Sequence, residues 1–262
     1  MKLLSQMLLL LTLGIAVAHA GPINVTVTAD QFAFQVWALQ PGAHPSFTLT
    51  PGKTDLEAAL QTAAGNPSVD DRQQSPGTRD AMAASVTHGD SLVNAILNPA
   101  LGSASVHASV ADDDGAWRQG YSRIWSFPRI VLAPQSGLTI TGHARLAFEN
   151  HGGSLARADG IFSTCLHATI PTACDVDYSH WTTMAMSPDG FNDTFSMSIQ
   201  NPGDTPLPMT WDLILFTQAV APPVPEPATW TMLCAGLLLA GVWRKHRWRG
   251  SRAHTENGIK LA

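Results

Sequence analysis

Ile23-Asn24-Val25-Thr26-Val27-Thr28 alternates apolar and polar side chains at every step. Alternate residues of a strand point to opposite faces, so this period of two predicts a strand with one buried face. Phe195-Ser196-Met197-Ser198-Ile199-Gln200 repeats the pattern far along the chain. Further candidates lie at Phe32–Trp37, Ser46–Thr50, Ser103–Ala111, Ile124–Ala133, Gly137–Gly142, Arg145–Phe148 and Trp211–Phe216. Turn residues separate them: Pro51-Gly52, Asp112-Asp113-Asp114-Gly115, Pro134-Gln135-Ser136 and Asn201-Pro202-Gly203-Asp204. Eight or more short strands joined by turns predict a mainly β fold, an antiparallel β-sandwich of jelly-roll-like type. Only 13% of the residues are charged, and 21 Gly and 18 Pro suit that architecture better than a helical bundle.

Lys53 to Asn98 breaks the pattern. The stretch is polar and Ala-rich. Asp55 to Ala63 reads as a helical turn or more, and Asp70 to Gly77 as a loop. Residues 53–98 are therefore expected to be an insertion or a long crossover within an ectodomain spanning 21–219.

The two ends read differently from the middle. Residues 1–20 open with Lys2, continue through the apolar Met7–Leu13, and close on Ala18-His19-Ala20. That order is expected of a secretory signal peptide. Residues 220–227 form a Pro-rich stalk suited to polyproline II. Pro227 is tolerated in a helix's first turn, so an apolar helix is expected over 228–243. Its length, roughly 24 Å, is short for a bilayer core of about 30 Å. Trp230 and Trp243 stand at its two ends, where interfacial aromatics belong. Arg244, Lys245 and Arg247 then form a basic stop, which opens a tail over 244–262.

Charge orients the chain. Between Gly21 and Pro223 there are eight Lys and Arg against eighteen Asp and Glu, a formal −10. Beyond the apolar segment six basic residues face Glu256 alone. Basic flanks stay cytoplasmic, which puts the acidic domain outside. An acidic exported domain lacks the cations that replace counterions on a nucleic acid, so nucleic-acid binding is not expected.

The succession of Val224, Pro225, Glu226 and Pro227, a short apolar helix containing Gly236, and the basic stop resembles the PEP-CTERM sorting signal of bacterial exosortase substrates. The match covers Val224 to about Arg247. The tail from Trp248 to Ala262 departs from it, since such proteins usually end soon after the basic cluster. The resemblance implies recognition of Pro225-Glu226-Pro227 by exosortase, a membrane transpeptidase resembling cysteine proteases. It further implies transient membrane residence, release to the cell surface or matrix, and association with extracellular polysaccharide and biofilm.

Catalytic chemistry is sparse. Gly52-Lys53-Thr54 lacks the first glycine of a phosphate-binding loop, Phe47 standing in its place. His151-Gly152-Gly153-Ser154 has no accompanying G-x-S-x-G elbow, and no H-E-x-x-H occurs. His143, His151, His167 and His180, with Asp175 or Asp177, are the residues a metal site would draw on, although ordinary strand histidines explain them more simply. The Asp112–Gly115 run lacks the alternating spacing of a calcium loop. No catalytic residue, metal or cofactor is therefore expected. Cys165 and Cys174 are the candidate disulfide of an oxidising compartment, worth about 2–3 kcal/mol for so short a loop. Trp117, Trp125, Trp181 and Trp211 are either core residues or a sugar-stacking platform. Three readings follow: a non-catalytic exported protein, a carbohydrate-binding module, and a secreted hydrolase.

Overall fold

The computed structural model describes residues 22–62, 69–75, 80–111, 118–150, 157–168 and 174–221, together with Leu237. All but Leu237 lie in one compact unit, His19–Pro223. That unit is mainly β and antiparallel. Its strands are β1 (Ile23–Ala38), β2 (Phe47–Thr50), β3 (Thr54–Thr62), β4 (Val69–Ser75), β5 (Met82–His88), β6 (Ser91–Asn98) and β7 (Ser103–Val110). They continue with β8 (Arg118–Ser126), β9 (Arg129–Leu132), β10 (Ser136–Asn150), β11 (Arg157–His167), β12 (Val176–Thr183), β13 (Phe191–Asn201) and β14 (Leu207–Ala221). A 3-10 turn, Pro99–Leu101, joins β6 to β7.

Two sheets form the sandwich. Sheet A has the order β13-β10-β1-β7-β6-β5. Sheet B has the order β12-β11-β14-β8-β3-β4, extended by β9 on β14 and β2 on β9. The inner faces meet through small side chains. A Cβ on Gly160 of β11 would fall 1.8 Å from Leu146 Cδ1, and one on Gly120 of β8 would fall 2.8 Å from Val110 and Val93. Such contacts set the layers at the usual spacing of about 10 Å. Phe162, Ile124, Leu215, Leu138 and Ile140 are fully buried between them.

Strand β1 shows how the alternation is kept. Ile23, Val25, Val27 and Ala29 point inward with odd numbers. The partly buried Phe32, Phe34 and Val36 pack against the same core with even numbers. The switch of phase is a β-bulge between Asp30 and Ala33, with Gln31 at a φ of 55°. One extra residue on the bulged strand restores inward pointing. The two segments read as separate strands in the sequence are thus one strand. Gly137–Gly142 and Arg145–Phe148 likewise merge into β10. Ile124–Ala133 instead divides at Phe127-Pro128 into β8 and β9.

The described residues of 53–98 form strands rather than the expected helical turn and loop, and the chain crosses from one sheet to the other within them. They supply β3 and β4 to sheet B and β5 and β6 to sheet A. Leu56, Ala58 and Leu60 face the core, while Asp55 and Glu57 point outward to Arg72 and Arg123. Those ion pairs come from neighbouring strands and favour the extended form over the helix. The expected loop at 70–77 is mostly β4, whose charged side chains suit its position at the sheet edge. Val220 and Ala221, expected to begin the stalk, instead end β14, paired with β8; the rest of the stalk and the expected signal peptide, membrane helix and tail lie outside the described residues, Leu237 apart. Among the described residues no helix is long and apolar enough to cross a membrane.

Candidate functional site

Three places in the sandwich concentrate side chains with chemical potential. The first is the outer face of sheet B. Antiparallel register puts Trp181, Ile161, Phe216, Arg123, Glu57 and Arg72 in one row across six strands. The adjacent row runs Ser179, Ser163, Ile214, Trp125, Asp55 and Gln74. Trp181 is 65% exposed and Trp125 41% exposed. Three strand spacings and two residues separate them, about 16 Å. Ile161, Phe216 and Ile214 fill the space between the two rings.

Charge closes one side of this apolar band. Arg72 donates through two nitrogens to the two carboxylate oxygens of Asp55, at 3.1 and 2.6 Å, and Gln74 adds a bond at 3.2 Å. The Arg72 hydrogen bonds hold the Asp55 carboxyl below its ordinary value, against an opposing effect of burial. Arg123 meets Glu57 at 2.7 Å, and the Tyr121 hydroxyl donates to Glu57 at 2.9 Å.

The second place is a cleft of about 760 Å³ between the layers. It opens where β7 stops pairing with β1, so that Ala33 to Ala38 pair with β10. Phe32, Phe34, Leu97, Trp211 and Leu213 line it, with the hydroxyls of Thr54 and Ser126 bonded to each other at 3.0 Å. The rings are spent on one another. Phe32 and Phe34 both meet Trp211 edge-on, and Phe34 stacks on Phe47. Among the described residues, none that lines it carries a titratable side chain. The cleft lies at the opposite end of the sandwich from Ile23 and Ala221, because β1 runs toward it and β14 away from it.

The third place joins β11 to β14. Cys165 and Cys174 form a disulfide, with Cα atoms 5.7 Å apart. His167 Nε2 lies 3.2 Å from Cys165 Sγ and 2.8 Å from Asp212 Oδ2. The same ring nitrogen faces both groups. A nucleophilic triad needs the two ring nitrogens to serve thiol and carboxylate separately, so this arrangement is not one. Burial raises the Asp212 carboxyl above its ordinary value, and the imidazole opposes that rise.

The structure disperses most of the other sequence candidates. His143 pairs with Asp30 at 3.3 Å on sheet A. His180 sits over Phe191, ring centroids 4.1 Å apart. Asp175 accepts from the Ala168 amide. Trp211 is only 6% exposed, and its indole donates to Thr164 at 2.6 Å. Gly52 is required by contact, since a Cβ there would fall 1.6 Å from the Phe127 carbonyl oxygen. That close approach accounts for the Gly52-Lys53-Thr54 run without a phosphate. Trp117, His151 and the Asp112–Gly115 run lie outside the described residues. Asp212 was missed in the sequence because it stands 45 residues from His167, and strand register alone brings the two together.

Val224, Pro225, Glu226, Pro227, Arg244, Lys245 and Arg247 also lie outside the described residues. In a comparison with protein families, residues 223–247 match the PEP-CTERM protein-sorting motif. The chain carries a PEP-CTERM sorting motif. The motif marks a polypeptide exported and sorted through exosortase at the membrane. No curated protein matches the chain. Among solved structures, one described as the structural basis for promiscuous specificity of carbohydrate-binding modules from the β-sandwich superfamily aligns at 9% identity and a TM-score of 0.12. The alignment covers 74% of this chain and 96% of that one. A likeness at that score carries no argument about fold or ligand.

Proposed function

We propose that this PEP-CTERM protein is a non-catalytic structural component of an extracellular polysaccharide or biofilm matrix. It is secreted through its N-terminal signal, held briefly at the membrane with the ectodomain outside, and released near Pro225-Glu226-Pro227. The sorting motif at 223–247 is the observation that carries the reading. Two features of the ectodomain support it. Among the described residues, the cleft sets its Thr54, Ser103 and Ser126 hydroxyls beside no titratable acid or base, and hydrolysis needs a convergent pair of such groups. The sandwich also brings Ile23 and Ala221 to one end, opposite the cleft.

Mass spectrometry of the protein recovered from surface or matrix material tests the proposal. A C-terminus near the Pro225-Glu226-Pro227 motif is expected. An intact chain through Ala262 on released material would overturn it, and so would unchanged release of a Glu226→Gln variant.

A second reading has its own observation. The exposed indoles of Trp125 and Trp181, bridged by Ile161, Phe216 and Ile214, form a long apolar band rimmed by charge. A glycan chain of several sugars would span it, with rings stacking on the indoles and hydroxyls meeting the rim. Binding of matrix polysaccharide at this face would make the protein an adhesive part of the matrix rather than a passive one.

A further inference from the structure

The cluster on β11 and β14 holds a ligand set that the disulfide conceals. We propose that two-electron reduction of Cys165–Cys174 opens a binding site for Zn²⁺ formed by Cys165, Cys174, His167 and Asp212. Disulfide and metal are then alternative staples of the same turn.

Convergence is the first argument. Cys165 Sγ, His167 Nε2 and Cys174 Sγ lie within 4.8 Å of one another. Asp212 Oδ2 stands 2.8 Å from the same imidazole nitrogen. One nitrogen facing both sulfur and carboxylate is wrong for a triad and right for a common centre. Zinc takes sulfur at about 2.3 Å and nitrogen or oxygen at about 2.0–2.2 Å in a tetrahedron. The sulfurs need only separate from bonding distance to roughly 3.7 Å, the edge of such a tetrahedron.

Positioning is the second. Cys165 and Asp212 are directly opposed in the β11–β14 register. His167 lies two residues further along β11, on the same face, while Leu166 between them is buried inward. The bond to Cys165 places Cys174 at this same face. The Asp175 amide donates to the Leu166 carbonyl at 2.9 Å, and the Asp175 carboxylate accepts from the Ala168 amide. Those bonds close the turn without help from the S–S bond.

Charge is the third. Cys165 stands in register between Asp212 on β14 and Asp177 on β12. Asp212 Oδ1 is buried and makes no hydrogen bond. A buried carboxylate oxygen left without a donor is costly, and a cation at the cluster would offset that cost.

The chemistry balances with an external dithiol as reductant. The dithiol gives two electrons and two protons, becomes a disulfide, and leaves Cys165 and Cys174 as thiols. Metal binding then releases both thiol protons as the sulfurs become thiolate ligands.

The test uses the full chain in detergent, with Cys234→Ser so that Cys165 and Cys174 are the sole thiols. After reduction with a phosphine, Co²⁺ is titrated as a visible probe and Zn²⁺ is added to displace it. The expected result is one equivalent of tetrahedral Co²⁺ with a thiolate charge-transfer band, absent from the oxidised protein. His167→Ala and Asp212→Asn should each weaken binding by at least about tenfold. Reduced protein without the band, or binding unchanged in His167→Ala, overturns the proposal. Circular dichroism of both variants checks the fold, and Asp212→Asn, isosteric with the native residue, decides should His167→Ala fail to fold.

Discussion

The outer faces of the two sheets use the same backbone geometry for different ends. On sheet A many outward residues are short and polar, Thr and Ser above all, and several bond along the sheet. Thr26 and His107 meet at 2.8 Å, Thr139 and Ser198 at 2.9 Å, and the Trp37 indole reaches Thr139 at 3.3 Å. On sheet B the outward residues are long. Trp125 and Trp181 project into solvent, and the carboxylates beside them are gripped by arginines. A face whose polar groups satisfy one another offers little to a partner. A face with exposed rings and a charged rim offers stacking area and orientation together. Under the polysaccharide-binding proposal, recognition would belong to sheet B, with sheet A as its support.

Inserting one alanine between Gln31 and Phe32 would break this contrast most severely. With the bulge kept and a second extra residue after Asp30, Phe32, Phe34 and Val36 swap onto the hydroxyl face of sheet A. Losing the burial of three apolar side chains should cost about 3 kcal/mol or more. A large fall in the denaturant midpoint is expected, and an unchanged midpoint would mean that the strand re-registers freely.

Asp55→Asn probes the charged rim. The Arg72 fork is half exposed, so its loss should lower the denaturant midpoint only slightly. The pH dependence is the sharper readout. The Asp55 carboxyl is held below its ordinary 3.8 in the folded protein, chiefly by Arg72. The folded state therefore binds fewer protons there than the unfolded one. Its contribution is complete above the unfolded value and is lost as pH falls through the lower folded value. Thermal unfolding at pH 7 and pH 3 should show a larger acid-induced drop for the native protein than for Asp55→Asn.

These contrasts were unequally legible in the sequence. The alternation of Ile23–Thr28 and Phe195–Gln200 exposes a one-sided strand directly, because each has one face in the core. β3 misleads because Leu56 and Leu60 are four apart and Ala58 and Ala59 favour helix. What makes β3 extended is Arg72 and Arg123, which reach it from other strands. β4 reads as a loop because an edge strand carries charge where a central one carries apolar residues. The bulge at Gln31 hides continuity by shifting phase. The sorting motif is legible because it is contiguous, whereas the Trp125–Trp181 band and the His167–Asp212 contact exist only once register is set.

Trp125→Ala and Trp181→Ala sharpen the functional side of the comparison. Each removes an exposed ring, so stability should move by less than about 1 kcal/mol. If sheet B binds matrix polysaccharide, each should weaken it roughly 2- to 13-fold, the equivalent of about 0.5–1.5 kcal/mol per ring. Thr26→Ala and Ser198→Ala on sheet A should leave binding unchanged. Affinity electrophoresis in the purified polysaccharide measures all four, and equal effects from the two faces would erase the distinction.

The smallest effect lies on the supporting face. Burial lowers the His107 imidazole below its ordinary 6.5, with Glu149 opposing, and Thr26 bonds to its Nδ1. The unfolded chain thus takes up a proton at a higher pH than the folded one. Stability from neutral His107 is complete above about 6.5 and declines as pH falls toward the folded value. His107→Gln keeps a hydrogen-bonding group in the same place but cannot titrate. The native protein should lose more stability than the variant between pH 7.5 and pH 5.5, by under about 1 kcal/mol. Denaturant curves at the two pH values measure the difference. Identical slopes would mean that His107 is solvated enough to accept its proton in place, and that sheet A is less closed upon itself than its hydrogen bonds indicate.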